Sequence, residues 1–171
     1  LKATTILLDK SGNAGNDTLQ LTTAAAIAIT GDIKTGSNGA GILNVDTNVT
    51  ITGSVGESVD LDLASANVAT GTTLSVSGDY FVVTTGLNGA AATIKFNGTA
   101  DQTVTGILAE VSGDGQGILD IERTGGTVLI DGTVGTDTNG LASFTVDSGA
   151  TLQIKGGEIN VTGNVNNGTT A

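Results

Sequence analysis

The sequence has no cysteine, proline, histidine, methionine or tryptophan, and its aromatic residues are one Tyr and three Phe. Without cysteine there is no disulfide framework, no thiolate metal site and no thiol nucleophile. Without histidine the commonest zinc ligand and the Ser-His pairing of hydrolases are both missing. Basic residues are scarce too: six Lys and Arg stand against 17 Asp and Glu, for a formal net charge of −11. That balance argues against nucleic acid or an anionic membrane surface as a partner. Hydrophobic runs are short, the longest small-apolar stretch being Ala24 to Ile29. A spanning helix needs roughly 18 apolar residues, so no transmembrane segment is expected. There is no initiator Met and no charged-then-apolar leader, so the chain reads as a processed protein or an excised piece.

What the chain has in quantity is Gly and Thr, 27 and 29 residues of 171. That length fits one domain, or one section of a longer array. Glycine falls every six or seven residues, and no window carries a 3.6-residue apolar stripe, so helices are disfavoured. Short alternating segments stand out instead, such as Val49-Thr50-Ile51-Thr52, Leu74-Ser75-Val76-Ser77 and Leu152-Gln153-Ile154-Lys155. Each ends at Gly or beside it and reads as a strand closed by a turn.

These segments repeat. Aligned on the closing glycines Gly31, Gly53, Gly78, Gly106, Gly132 and Gly156, they recur at spacings of 22, 25, 28, 26 and 24. Two residues before each glycine stand Ile29, Ile51, Val76, Val104, Ile130 and Ile154. Four before stand Ile27, Val49, Leu74, Gln102, Val128 and Leu152. Two after stand Ile33, Val55, Tyr80, Leu108 and Val134, and in the last row Gly157 shifts the apolar role to Ile159. A second strand recurs between them at Ile42–Asp46, Leu61–Leu63, Thr93–Phe96, Ile118–Ile121 and Ser143–Val146.

A unit of about 25 residues cannot bury its own apolar face, but stacked units ladder like residues inside. The pattern therefore predicts an all-β fold, a right-handed parallel β-helix (β-solenoid) of about six or seven coils of 22–28 residues, with three short strands per coil. At ~4.8 Å per coil the rod is on the order of 30 Å long. Residues 1–171 form one solenoid segment, with 1–21 as a cap or calcium-loop region and 22–168 as repeat coils. Loops at Gly86–Ala92 and Gly135–Gly140 absorb the uneven spacing. The competing fold is a Greek-key β-sandwich, which also gives short strands and frequent turns but requires no laddered column. The solenoid reading requires Ile51, Val76, Val104 and Ile130 to stand in a single file.

Three segments carry a family resemblance: Thr50–Gly56, Phe96–Gly106 and Gly126–Gly135. They resemble the passenger regions of bacterial autotransporters, above all the large rickettsial-type outer-membrane surface antigens, and β-strand-repeat S-layer proteins. The similarity runs from about Thr22 to Gly168 and is one of repeat style, with no catalytic signature. It implies an exported, surface-displayed rod that serves adhesion or coat formation.

Candidate sites are few. Gly12-Asn13-Ala14-Gly15-Asn16-Asp17-Thr18-Leu19-Gln20 resembles the calcium nonapeptide G-G-x-G-x-D-x-U-x of RTX proteins, with Asn13 in place of the second glycine. The resemblance would make Gly12, Gly15 and Asp17 contributors to a Ca²⁺ site, with Leu19 as the inward hydrophobe, although such sites need consecutive copies and no second copy is visible. The spacing fails as an EF-hand, because Ala14 occupies the sharp-turn glycine position and Gln20 replaces the bidentate Glu. Other oxygen-rich clusters are Asp46-Thr47-Asn48, Ser112-Gly113-Asp114-Gly115 and Asp131 with Asp137-Thr138-Asn139-Gly140. Each is equally what a solenoid corner needs for turns and side-chain-to-backbone bonds. The carboxylate pairs Asp60/Asp62 and Asp120/Glu122 have the alternate spacing of a glycosidase pair on one outward face. The aromatic and basic side chains that would line a sugar groove are missing, so a solvated face is the better reading. Outward pairs Thr50/Thr52, Ser75/Ser77 and Thr103/Thr105 suggest a flat ice-binding array, which Leu129/Asp131 interrupts.

The sequence thus leads to a stiff, non-catalytic structural or adhesive module of an exported bacterial surface protein, extracellular or on the cell surface. The alternatives are a self-assembling S-layer or filament subunit with calcium-stabilised contacts, and a polysaccharide-acting or ice-binding solenoid. No capping helix and no Pro- or Lys-rich terminal strand is apparent. Partners are accordingly expected to be further copies in a homo-oligomer, filament or lattice, or a receptor or glycan on a host or cell surface.

Overall fold

Runs in which aliphatic residues alternate with Thr, Ser, Asn or Asp fold as β-strands, and these strands stack in parallel. The computed structural model describes residues 2–8, 17–123 and 125–168. Among the described residues there are fifteen strands and no helix. In chain order the odd-numbered strands hydrogen-bond in one eight-stranded sheet and the even-numbered strands in a seven-stranded one. Every named pairing between strands is parallel. The fold is a β-solenoid.

The register resolves three walls, each with its own inward file. In the first wall Ile29, Ile51, Val76, Phe96, Ile121 and Val146 lie one above another. In the second the file is Ile6, Ile33, Val55, Tyr80, Val104, Ile130 and Ile154. In the third it is Leu19, Leu43, Ala66, Thr85, Leu108, Val134 and Ile159. Alternation turns every second side chain inward, and the three files form one continuous hydrophobic core along the axis. The large side chains sit mid-stack: Phe96 and Tyr80 are fully buried and meet edge to face with ring centroids 5.5 Å apart. Burial pushes the Tyr80 phenol pKa up, and its hydroxyl bonds to Thr85 Oγ1 at 2.6 Å.

The single file expected from the closing glycines does not form. Ile51 and Val76 stand in the first wall, Val104 and Ile130 in the second. The alignment holds on either side of one junction and slips by one wall between Gly78 and Gly106. Above Val76 lies Phe96, while Val104 continues the file of Tyr80. The slip arises because two walls share a signature: Ile27-Ala28-Ile29-Thr30-Gly31 and Gln102-Thr103-Val104-Thr105-Gly106 both alternate into a glycine. The solenoid survives the error, since parallel stacking requires a matching rung above each rung whichever wall it belongs to. The bulge expected at Gly86–Ala92 shrinks accordingly. Gly86 lies in β8 (Tyr80–Asn88), and only 89–92 form the turn. Leu61 and Asp62 likewise precede β6 (Leu63–Ala69) and are not part of a strand.

At the corners, Asx and Ser side chains tie each coil to the next. Asp32 Oδ1 accepts the Ser54 N–H at 2.9 Å, Ser54 Oγ accepts that of Asp79 at 3.1 Å, and Asp79 Oδ1 accepts that of Thr103 at 2.7 Å. Asp101 serves Thr127, Asn48 serves Thr73 and Asp114 serves Gly140 in the same way. Each bond satisfies an amide that the turn withdraws from the sheet ladders. Asp79→Ala is expected to cost about 1 kcal/mol, read as a lower urea midpoint. Asp79→Asn should recover most of it, because Asn48 does the same work elsewhere; equal losses for both would show that charge, not the acceptor oxygen, matters.

Candidate functional site

The carboxylates singled out from sequence are mostly engaged in holding coils together. Asp114 Oδ1 takes both the Gly140 N–H and the Thr162 hydroxyl, at 2.9 and 2.8 Å. A small recess of about 200 Å³ is lined by Asp114, Asp137, Asn160 and Thr162 among others. Asp131 forms an ion pair with Lys155 at 2.7 Å. Asp46 accepts a hydrogen bond from Gln20, and Asn48 serves Thr73. Of the calcium-loop residues, Gly12 and Gly15 lie outside the described residues. Asp17 is exposed just before β2 (Thr18–Leu21), where its carbonyl accepts the Ile42 N–H at 2.8 Å. Among the described residues no three His, Cys, Asp or Glu side chains converge as a metal site.

The two carboxylate pairs do not face each other across a groove. Asp120 and Glu122 both contact the Lys95 ammonium, Asp120 at 3.2 Å. The hydrogen bond to Glu122 raises the Lys95 pKa, and burial raises that of Asp120 against the pull of Lys95. Asp60 and Asp62 lie in the turn before β6, not on a strand. Burial, then the charge of Asp60, raises the Asp62 pKa, and Asp62 Oδ1 is buried without a hydrogen-bond partner. A raised pKa means that the ionised carboxylate is less favourable folded than unfolded, so its charge costs stability at neutral pH. Asp62→Asn should therefore raise the urea midpoint slightly at pH 7. At pH 3 both states are largely protonated and the gain should vanish; a gain that persists there would assign it to something other than charge.

The threonine array is divided by the same register. Thr50 and Ser75 are stacked on the first wall, but the next rung above Ser75 is Lys95 and then Asp120. Thr103 and Thr105 belong to the second wall, beside Leu129 and Asp131. Sugar-stacking rings are equally sparse at the surface, because Tyr80, Phe96 and Phe144 are buried. A shallow open recess of about 440 Å³ between β1 (Lys2–Leu8) and β3 (Ile27–Thr35) is lined by Ala3, Thr4, Thr30 and Gly31, with no charged group.

Three polar features escape a sequence reading. Glu110 lies above Leu87 in the aliphatic column Leu21, Val45, Val68 and Leu87 of the third wall, and is fully buried. Its Oε1 accepts the N–H groups of Gly89, Val111 and Ser112 and the Ser112 hydroxyl, which offsets part of its desolvation, while Oε2 is buried without a hydrogen-bond partner. Arg123, also buried, donates to Gln102 Oε1 at 2.9 Å and to the carbonyls of Ala100 and Gly125, while Gln102 donates to the Val76 carbonyl. Gln20, Asn44 and Asn67 form an outward amide ladder on the third wall, with bonds of 2.9 and 2.8 Å. A signal existed only for Gln102, the one polar residue in an otherwise aliphatic column.

These features define the chain as a parallel β-solenoid whose polar groups chiefly join one coil to the next. It is similar to a segment of Outer membrane protein A of Rickettsia rickettsii, with 33% identity over 162 residues, covering 93% of this chain. The chain spans 7% of the length of that curated relative. No family model matches the chain. No solved structure matches it. Among the described residues no helix is long and apolar enough to cross a membrane.

Proposed function

We propose that this chain is a stiff section of an exported bacterial surface protein, whose work is to extend and present a surface and not to catalyse a reaction. The observation that carries this reading is the identity to an outer membrane protein across nearly the whole solenoid. Two structural features support it. Parallel rungs with continuous inward files make a rod in which each coil is braced by its neighbours. The candidate carboxylate pairs are bound to a lysine or placed in a turn, and the rings of Tyr80, Phe96 and Phe144 are buried in the core. Adhesion to a receptor or glycan would then use the outward side chains of the walls.

Antibodies raised against the folded chain test the location. They should label intact source bacteria, and brief protease treatment of whole cells should abolish the signal. Labelling that appears only after permeabilisation would overturn the proposal.

A further inference from the structure

Asn-Gly pairs occur five times, at Asn38, Asn88, Asn97, Asn139 and Asn167. In this dipeptide the glycine nitrogen can attack the asparagine side chain, because no Cβ hinders its approach. The fold treats the five pairs differently. The Gly89 N–H donates to the buried Glu110 carboxylate at 3.2 Å, and the Gly140 N–H to Asp114 Oδ1 at 2.9 Å. A nitrogen bonded to a carboxylate gives up its proton reluctantly, since the anion left would face a like charge. Gly98 is buried, and a Cβ on it would lie 2.1 Å from the Ser77 carbonyl oxygen, so the segment has no room to turn. Asn167 and Gly168 lie in β15 (Val161–Gly168), paired with Val146 and Asp147.

Asn38 is placed otherwise. Asn38 and Gly39 are exposed in the turn between β3 and β4 (Ala40–Val45), which is closed by the Ala40 N–H on the Ser37 carbonyl. Gly39 has a φ of +66°, and nothing lies within 4 Å of where its Cβ would be. Its N–H meets a neutral group, the Asp62 carbonyl at 2.9 Å. In return the Asp62 N–H donates to Asn38 Oδ1 at 3.3 Å. That donor is set at the oxygen on which negative charge gathers when the side-chain carbonyl is attacked.

We propose that Asn38 is a modification site, converted by reaction with water to aspartate and isoaspartate through a cyclic imide. Hydroxide takes the Gly39 N–H proton, the nitrogen bonds to Asn38 Cγ, and the Cγ–Nδ2 bond breaks. Ammonia leaves with a proton returned from water. A second water opens the ring: addition at Cγ yields aspartate, and addition at the backbone carbonyl yields isoaspartate. Either product sets a new negative charge beside Asp62. Isoaspartate also lengthens the main chain by one carbon, which the paired bonds between this turn and Asp62 cannot match. The corner between these two coils therefore loosens as the protein ages. The inference does not rest on the surface-protein proposal.

Peptide mapping by mass spectrometry tests it, on folded protein aged at pH 7 and at pH 9 and on a parallel sample in concentrated urea. In the folded chain Asn38 should deamidate roughly tenfold faster than Asn88, Asn97 or Asn139, and faster at pH 9 than at pH 7. In urea the same sites should react at similar rates. Asn38→Gln, whose longer side chain has to close a larger ring, should remove most of the acidic shift that isoelectric focusing shows in aged folded protein. Circular dichroism confirms that this variant is folded. Equal rates at these sites in the folded chain, a preference for Asn38 that persists in urea, or an undiminished acidic shift in Asn38→Gln would each overturn the inference.

Discussion

Gly106→Ala should destabilise the solenoid by on the order of 4 kcal/mol, enough to remove much of the stability of an ordinary domain. Gly106 is the point at which β10 (Gln102–Glu110) bends from the second wall into the third, and its φ is +82°. An L-residue in that region costs about 1–2 kcal/mol. The larger part comes from the neighbouring rung, since a Cβ at this position would lie 1.9 Å from the Val82 carbonyl oxygen. That oxygen belongs to backbone held by its own sheet and cannot retreat without breaking the stack. Gly71 separates the two effects. Its φ is +69°, but a Cβ there would meet nothing within 4 Å. Gly71→Ala should therefore cost only about 1 kcal/mol. Urea unfolding followed by circular dichroism measures both; equal losses would mean that rung-to-rung contact is not what demands glycine at the corner.

Phe96→Ala is expected to cost about 3–5 kcal/mol, the usual range for emptying a large buried aromatic site. Phe96 is fully buried in the first-wall file between Val76 and Ile121 and presses against the edge of Tyr80. Rungs above and below are fixed by backbone hydrogen bonds, so the stack has little freedom to close over the void. Phe96→Leu keeps most of the volume and should cost roughly 1 kcal/mol. Phe81 is the comparison within the same protein, because it lies one residue beyond Tyr80 and faces outward over Gly56. Phe81→Ala should cost under about 1 kcal/mol. If the two alanine variants were equally destabilised, the assignment of inward and outward faces in these rungs would be wrong.

Both effects depend on a property of solenoids that globular domains share less strongly. Each coil is stable only against its neighbours, so a defect in a middle rung interrupts pairing on both sides. The corner bonds of Asp32, Asp79 and Asp101 work at the same junctions. They give a structural reason for part of the acidic excess. Three lysines lie beside carboxylates on the outer faces, Lys34 with Glu57, Lys95 with Glu122 and Lys155 with Asp131. The remaining outward acids give the rod its negative surface.

Much of this architecture was legible before any coordinates. Alternation of apolar and polar residues fixes which side chains turn inward, because the strand period is two whatever the fold around it. Recurrent glycines at intervals near 25 residues mark corners, and together these signals dictate a stacked β-solenoid of short strands. Which wall a given strand joins was decided by tertiary structure. Ile29 and Val104 sit in equivalent local patterns, and only hydrogen bonding to the rungs above and below sends one to the first wall and the other to the second. The same holds for the acids. Asp114 stands in an oxygen-rich cluster in a linear reading and becomes an amide acceptor once the next coil lies beside it. Local pattern determines orientation, since it depends on neighbours in the chain; partner and role depend on neighbours in space some 20–28 residues away.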